Sequence, residues 1–346
     1  FYPDIRYAFG REKIIWSLNG NYSFDSFGQK LIFFRAGSTS KDFNSGGGID
    51  PFLNTAASLL FKRNYLKLYG SKYITAGYRS EIANGLVLEL SLNHENRKIL
   101  SNTTDFSFFR KSAEYSDNIP NNEYLKDGDD PALLLYDHQH LDFVTNVTFI
   151  PFQRYRVVRG IRVPQGSDWP TFRFTWKHGI NSLYDGFNDG KHFDMLMFEA
   201  SMTAETGAFS ELKWNIGGGG FINKSNLSFI DFFHFNTQPL PILLRNYEDA
   251  LMLPGFYSFS TPELFSEAHL KYTTPYLLLK LLPFLSNTLM RENIGFSLLA
   301  SADRKLYTEI GYSLSEIFLI GEMGIYAGFE NIRHKYIGVK FIFRLN

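Results

Sequence analysis

The sequence contains no cysteine. That excludes a disulfide framework, a zinc finger and a thiol nucleophile. It carries no net charge either, with 35 basic against 35 acidic residues. Nothing electrostatic therefore points to nucleic acid or to an anionic surface as a partner. No run of 18 apolar residues occurs anywhere in the chain, which excludes a membrane-spanning helix. What the sequence has in quantity is aromatic side chains: 35 Phe and 20 Tyr bring aromatics to 17%. Mean hydropathy is nevertheless only −0.18. Many large apolar residues in a chain of low mean hydropathy must be interleaved with polar ones.

The interleaving has a period of two. Ile14, Trp16, Leu18, Tyr22 and Phe24 alternate with Ser17, Asn19, Asn21 and Ser23. Leu86, Leu88, Leu90 and Leu92 alternate with Glu89, Ser91 and Asn93. Phe172, Phe174 and Trp176 oppose Arg173 and Lys177, and Leu212, Trp214 and Ile216 oppose Glu211 and Lys213. Ala268, Leu270 and Tyr272 oppose Glu267, His269 and Lys271, and Ile337, Val339, Phe341 and Phe343 oppose Lys340 and Arg344. Successive strand side chains point to opposite faces, so each run has one greasy and one wet face. A soluble sandwich alternates in the same way. Two features favour lipid. The runs are about as long as a tilted strand needs to cross the hydrocarbon layer. The wet faces carry full charges, which a watery lumen tolerates and a packed sandwich core does not. Phe and Tyr near strand ends fit the girdles of a membrane interface.

The expected fold is therefore all-β: a transmembrane antiparallel β-barrel of about sixteen strands, with about fourteen as the alternative. It forms one domain over residues 1–346 and reads as the C-terminal part of a longer chain. Segments 154–163 and 226–236 are the seventh and eleventh strands of that count. With the C-terminus periplasmic, the long connections 38–71, 98–136 and 237–262 all fall outside, as this class requires. The connection 275–290 is long on the wrong side, which implies a short interfacial helix or a slip in the count.

Segment 49–70 departs from the pattern. Phe52, Ala56, Leu59 and Leu60 recur at helical spacing after Asp50 and Pro51, and Gly70 reads as a stop. Such a helix either caps an external loop or folds into the lumen. In the second case Phe52, Leu59, Leu60, Arg63 and Tyr65 are the candidate plug residues.

Several stretches resemble a known family. They are PFLNTAASLLFKRNYLKLYG (51–70), NTTDFSFF (102–109), DFFHFN (231–236), ELFSEAHLKY (263–272) and EIGYSLSEIFLIGEMGIYAGF (309–329). In this order they resemble the C-terminal barrel of outer-membrane proteins whose N-terminus carries a carboxypeptidase-regulatory-like β-sandwich. More distantly, the chain resembles the bacterial surface-antigen superfamily of outer-membrane assembly-factor barrels. That resemblance implies a role in assembling, inserting or exporting other envelope components, with other outer-membrane or periplasmic proteins as partners. One departure stands out. Those barrels carry an Arg-Gly-aromatic motif on an inward loop, and 237–262 has none. The Arg159-Gly160-Ile161 triplet lies elsewhere.

Chemistry is sparse. His138, His140 and Asp142 share one strand face and are the nearest approach to a metal-ligand set, but lumen or girdle histidines give the same pattern. Asp127, Gly128, Asp129 and Asp130 read as a solvated acidic loop more readily than as a calcium loop. Gly217 to Gly220 lack the following helix and Lys-Ser/Thr of a phosphate loop. No residue reads as catalytic, cofactor-binding or metal-binding, and no cofactor is expected. The lumen-facing polar candidates are Arg173, Lys177, Lys213, Glu267, His269, Lys271, Glu309, Glu322, Lys340 and Arg344. The expected function is that of an outer-membrane barrel accessory to assembly, not an enzyme, embedded among membrane lipids. A passive channel or receptor for small polar solutes is the alternative.

Overall fold

The computed structural model describes all residues except 26–27, 45, 104, 111, 127–133, 182–191, 246–248, 282–287 and 344–346. The acidic run 127–130 and Arg344 lie outside the described residues.

The wall opens with β1 (Tyr2–Ala8), β2 (Lys13–Asp25) and β3 (Lys30–Asp42). The helix α1 (Pro51–Phe61) precedes β4 (Leu68–Ala83), β5 (Leu86–Ile99) and β6 (His138–Phe149). A hairpin follows, β7 (Arg154–Val158) and β8 (Ile161–Gly166). The wall resumes with β9 (Thr171–Asn181), β10 (His192–Gly207) and β11 (Ser210–Lys224). After the two-residue β12 (Ile242–Leu243) come β13 (Phe265–Thr274), β14 (Arg291–Ser301), β15 (Tyr307–Ile317), β16 (Gly321–Glu330) and β17 (Arg333–Phe343).

Among the described residues these form one 15-stranded sheet and the separate β7–β8 hairpin. Setting aside β12, fourteen wall strands pair antiparallel in chain order. Two segments expected as wall strands are not. Segment 154–163 is most of the hairpin: Arg159 and Gly160 both have positive φ, 52° and 77°, and make its turn. Segment 226–236 leaves the wall at Lys224 and turns inward through a 3₁₀ turn at Phe229–Asp231. One miss precedes the other, so the strand directions beyond 237 are unchanged. The connections 43–67, 100–137 and 225–264 still share one end of the sheet. In 275–290 the described part holds a 3₁₀ turn, Leu279–Leu281, whose approach is capped by Glu292: its carboxylate accepts the N–H groups of Leu277, Leu278 and Leu279.

The distribution of side chains is inside out. On β15, Tyr307, Glu309, Ser313 and Ser315 are buried while Ile310 is exposed. On β17, Lys340 is buried while Ile337, Val339 and Phe343 are exposed. An apolar outer belt with charges inside is what lipid outside and polar contents inside select. Strands β4 and β10 run to 16 residues each, longer than a tilted strand needs to cross the hydrocarbon layer.

What fills the inside is the chain itself. The three apolar clusters all include residues of the 225–264 connection. Phe229, Ile230, Phe232, Phe256 and Tyr257 pack with Phe43, Tyr69, Phe193 and Phe221 of the wall region. Phe235, Leu251 and Phe259 pack with Phe265, Leu299 and Tyr307. Leu243, Ala250 and Met252 pack with Ile342. The inward aromatics need room against the wall. The Phe193 ring lies over Gly179, where a Cβ would overlap it.

The sheet is not closed by its own ends. β1 pairs with β2, β17 pairs with β16, and no pairing joins β1 to β17 among the described residues. The free edge of β17 instead carries β12, in parallel, with Ile242 opposite Phe341 and Leu243 opposite Ile342.

Candidate functional site

The centre of the molecule is the contact between the inward connection and the wall. Asp231 ends the 3₁₀ turn, and the Ser228 hydroxyl fixes that turn's start by accepting the Ile230 N–H. Asp231 is buried and meets groups from three strands. Arg97 of β5 donates to its Oδ1 at 2.9 Å, and Lys177 of β9 lies 3.4 Å from the same oxygen. Asn181 of β9 donates to Oδ2 at 3.1 Å. His140 of β6 stands 3.8 Å away. Burial alone pushes the Asp231 carboxyl up, but the charges of Arg97, His140 and Lys177 outweigh it and hold it well below the usual carboxylate range.

The network spreads along the wall. Arg97 also donates to Glu95 at 2.7 Å, and Glu95 accepts from Lys41 of β3 at 2.7 Å and from Ser71 of β4. On the other side His140 Nε2 contacts Asp142 at 2.7 Å and its Nδ1 contacts Asn181 Oδ1 at 2.6 Å. Buried carboxylates Glu95, Asp142 and Asp231 thus face Lys41, Arg97 and Lys177. Every member is committed to another member or to the wall. Such pairing removes the large cost of burying single charges.

The histidine set read from sequence belongs to this network. His138 Nδ1 faces the Tyr136 carbonyl and its Nε2 faces Arg97. With both His140 nitrogens engaged as well, the set has no pair of nitrogens converging on an open position. Among the described residues no group of three His, Cys, Asp or Glu is disposed to hold a metal ion.

A second set of charges lines a cavity of about 200 Å³ on the far side of the inward connection. It gathers Lys213, His269, Lys271, Glu309 and Glu322 from β11, β13, β15 and β16. Glu309 holds the connection here by accepting the N–H groups of Met252 and Leu253 at 2.8 and 3.1 Å. Lys271 lies 3.8 Å from Glu322, and Glu267 3.5 Å from His269. Lys340 reaches a third place, donating to the carbonyls of Gln238 and Leu240 at 2.9 and 2.8 Å beside β12. Arg173 stands apart, exposed and paired with Glu199 at 3.3 Å.

The helix α1 forms as its sequence dictates. Asp50 caps it, accepting the N–H groups of Phe52 and Leu53, and Pro51 occupies the first turn. None of its residues is buried. Phe52 and Leu59 are exposed, and the Leu59 carbonyl accepts from Phe108 and Ser107 of the neighbouring connection. Asn54 ties the helix to Tyr65 and Leu66 through two backbone N–H groups. The helix thus joins a cap of connections at one end of the sheet.

Sequence reading missed Asp231, Arg97 and Glu95. The one local signal was a carboxylate at the head of an aromatic run, DFFHFN, in a segment that otherwise reads as a strand.

A curled antiparallel sheet, apolar outside and charged inside around its own inward connection, defines a membrane β-barrel. The chain belongs to the family described as "Family of unknown function (DUF5686) C-terminal domain", whose model matches residues 1–314. No curated protein matches it. Among solved structures it is similar to BamA from Haemophilus ducreyi lacking POTRA domains 1-3, at 11% identity and a TM-score of 0.48. That likeness covers 95% of this chain and 60% of the BamA chain, so the protein spans less than two thirds of that structure's length.

Proposed function

We propose that the protein is an integral outer-membrane barrel, with its C-terminus periplasmic, that assists assembly, insertion or export of other envelope components. It works through the edge of β17, without covalent chemistry, and its partners are lipids and other outer-membrane or periplasmic proteins. One observation carries this reading: the last strand's free edge is covered by two residues of the protein's own inward connection instead of by β1. A short cover of two ladder residues is easily exchanged for a longer strand, because each strand residue gained adds pairing to an otherwise exposed edge. The interior filled by 225–264 argues against free flow of solutes. The long connections at one end support the orientation.

The alternative, a passive channel for small polar solutes, draws on the mixed-charge cavity around Lys213 and Glu309. Single-channel conductance in a planar bilayer separates the two. The intact chain is expected to stay closed, and a variant with 229–252 replaced by a short linker to conduct. A Leu243→Cys, Ile342→Cys cross-link is expected to keep the bilayer closed and to abolish any assembly activity. Steady, large conductance of the intact chain sinks the proposal in favour of the channel.

A further inference from the structure

The β7–β8 hairpin stands apart from the wall, at the end of the sheet opposite the long connections. Two strands alone bury little and are marginal in water. Its base is nevertheless fixed. Arg162 of β8 lies 3.3 Å from Glu81 and donates to the Asn84 side chain, and the Asn84 amide donates to the Gln153 carbonyl at 2.8 Å. β8 thus rests on the β4–β5 turn. All five residues of β7 are exposed, Tyr155, Val157 and Val158 among them.

The two edges of the hairpin differ. Val158 and Ile161 flank the two-residue turn and bond to each other, and Arg156 and Val163 do the same one step on. The residues between turn their backbone groups outward: Tyr155 and Val157 on β7, Arg162 and Pro164 on β8. Pro164 has no N–H, which blunts the β8 edge. The β7 edge keeps both of its donors, and among the described residues no strand pairs with it. Its side chains alternate too, with Arg156 on one face and Tyr155 and Val157 on the other.

Charge marks the same edge. The connection 150–170 carries Arg154, Arg156, Arg159 and Arg162 against a single carboxylate, Asp168. Arg154 takes Asp168 at 2.6 Å, and Arg162 takes Glu81. Arg156 and Arg159 are exposed and make no ion pair among the described residues.

We propose that the β7 edge takes up an extended acidic segment of a partner protein as a third strand. Its carboxylates meet Arg156 and Arg159, and its apolar side chains lie beside Tyr155 and Val157. A strand supplies the alternating donors and acceptors that the edge requires. In an antiparallel addition Arg156 falls at a non-hydrogen-bonded pair, the closer kind, which brings a facing carboxylate near it. A second copy of this chain would set arginine against arginine. An anionic lipid surface meets the arginines but offers the backbone no ladder. Neither β12 nor β17 takes part, so failure here leaves the seam untouched.

The test uses the whole purified chain in detergent micelles and a fluorescent peptide of alternating Glu and Val, read by anisotropy. The wild type is expected to bind it in preference to a peptide of alternating Lys and Val. Val157→Pro removes an outward N–H without breaking a bond inside the hairpin. It is expected to weaken binding roughly tenfold, with the folded barrel's gel mobility unchanged. Arg156→Glu/Arg159→Glu, at two exposed positions, is expected to reverse the preference between the two peptides. Absence of peptide binding in the wild type overturns the proposal, as does equal binding of both peptides. A folded Val157→Pro that binds as the wild type does overturns it too. Flotation with anionic phospholipid vesicles, undiminished in Val157→Pro and without peptide binding, would assign the hairpin to the membrane surface instead.

Discussion

Two long connections leave the same end of the sheet and come to opposite fates. Segment 43–67 contains a stretch of clear helical periodicity, and α1 buries none of its residues. Among its described residues, segment 225–264 has no helix or strand beyond a 3₁₀ turn and β12, yet Phe229, Phe235, Leu243 and Leu251 are almost wholly buried. Amphipathic periodicity marks where a helix forms, not how deep it goes. Depth here follows from partners. The inward connection carries Asp231, which meets Arg97 and Lys177, and backbone groups that satisfy Glu309 and Lys340. The helix offers its neighbours the Asn54 side chain, backbone carbonyls and partly buried apolar residues such as Leu53, and it has no charged residue to enter the network.

The sharpest way to break this contrast is to remove the central carboxylate. Asp231→Ala leaves buried Arg97 with Glu95 alone and half-buried Lys177 without its carboxylate, and is expected to cost about 3–5 kcal/mol. Detergent unfolding by urea, followed by gel mobility, reads the loss. Phe229→Ala empties the aromatic centre of the same connection, at 0% exposure, and is expected to cost about 3–5 kcal/mol through lost burial and a cavity. If either variant unfolds like the wild type, the connection is not what holds the interior together.

Acid should loosen the connection next. His234 is half-buried, with Nδ1 at 2.7 Å from the Ser260 hydroxyl and a buried Nε2 without a partner. Burial pushes its pKa down from 6.5 to about 4, against the opposing pull of backbone groups and Asp231 and with Lys177 adding to the fall. The folded-state value is the lower one. Stability is therefore full above about pH 6.5 and declines as pH falls towards 4, where the released state takes up the proton first. The total is roughly 3 kcal/mol at about 1.4 kcal/mol per unit. Asp231 adds its own loss only at lower pH, because its folded value lies below the ordinary carboxylate range. Protease cleavage within 225–264 is expected to speed up between pH 7 and pH 5 in the wild type. His234→Phe should flatten that slope, and an unchanged slope would assign the effect to another group.

How much of this was legible in the sequence follows from the range of each interaction. Strand runs such as 86–95 and 334–345 declare themselves through neighbours two residues apart. Segment 226–236 does not, because Asp231 and its aromatic neighbours read as one more alternating strand until Arg97, 134 residues away, is placed beside them. Segment 154–163 failed for a local reason: the Arg159-Gly160 turn sits inside a run whose apolar residues continue on both sides. The alternation of charged and apolar positions along each strand was legible. The division of the charges between a tight network at Asp231, a cavity at Glu309 and the seam at Lys340 was not, since it depends on which strand meets which part of the connection.

The edge of β17 provides the mildest test and the one closest to function. Lys340 is buried, and its ammonium donates to two carbonyls of the inward connection just before β12. Lys340→Met keeps the length and apolar stem but removes both bonds. Each hydrogen bond to a charged group contributes about 1.5–3 kcal/mol, but removing the charge also removes its burial cost, so a net loss of about 1–2 kcal/mol is expected. That is too little to unfold a wall of fourteen long strands. It is enough to free a cover held by only Ile242 and Leu243. The expected signature is a barrel of unchanged urea midpoint whose conductance flickers, and whose Leu243→Cys, Ile342→Cys cross-link forms more slowly. A variant that remains silent and cross-links at the wild-type rate would show that apolar packing of Leu243 and Ile342, not Lys340, keeps the cover on the edge.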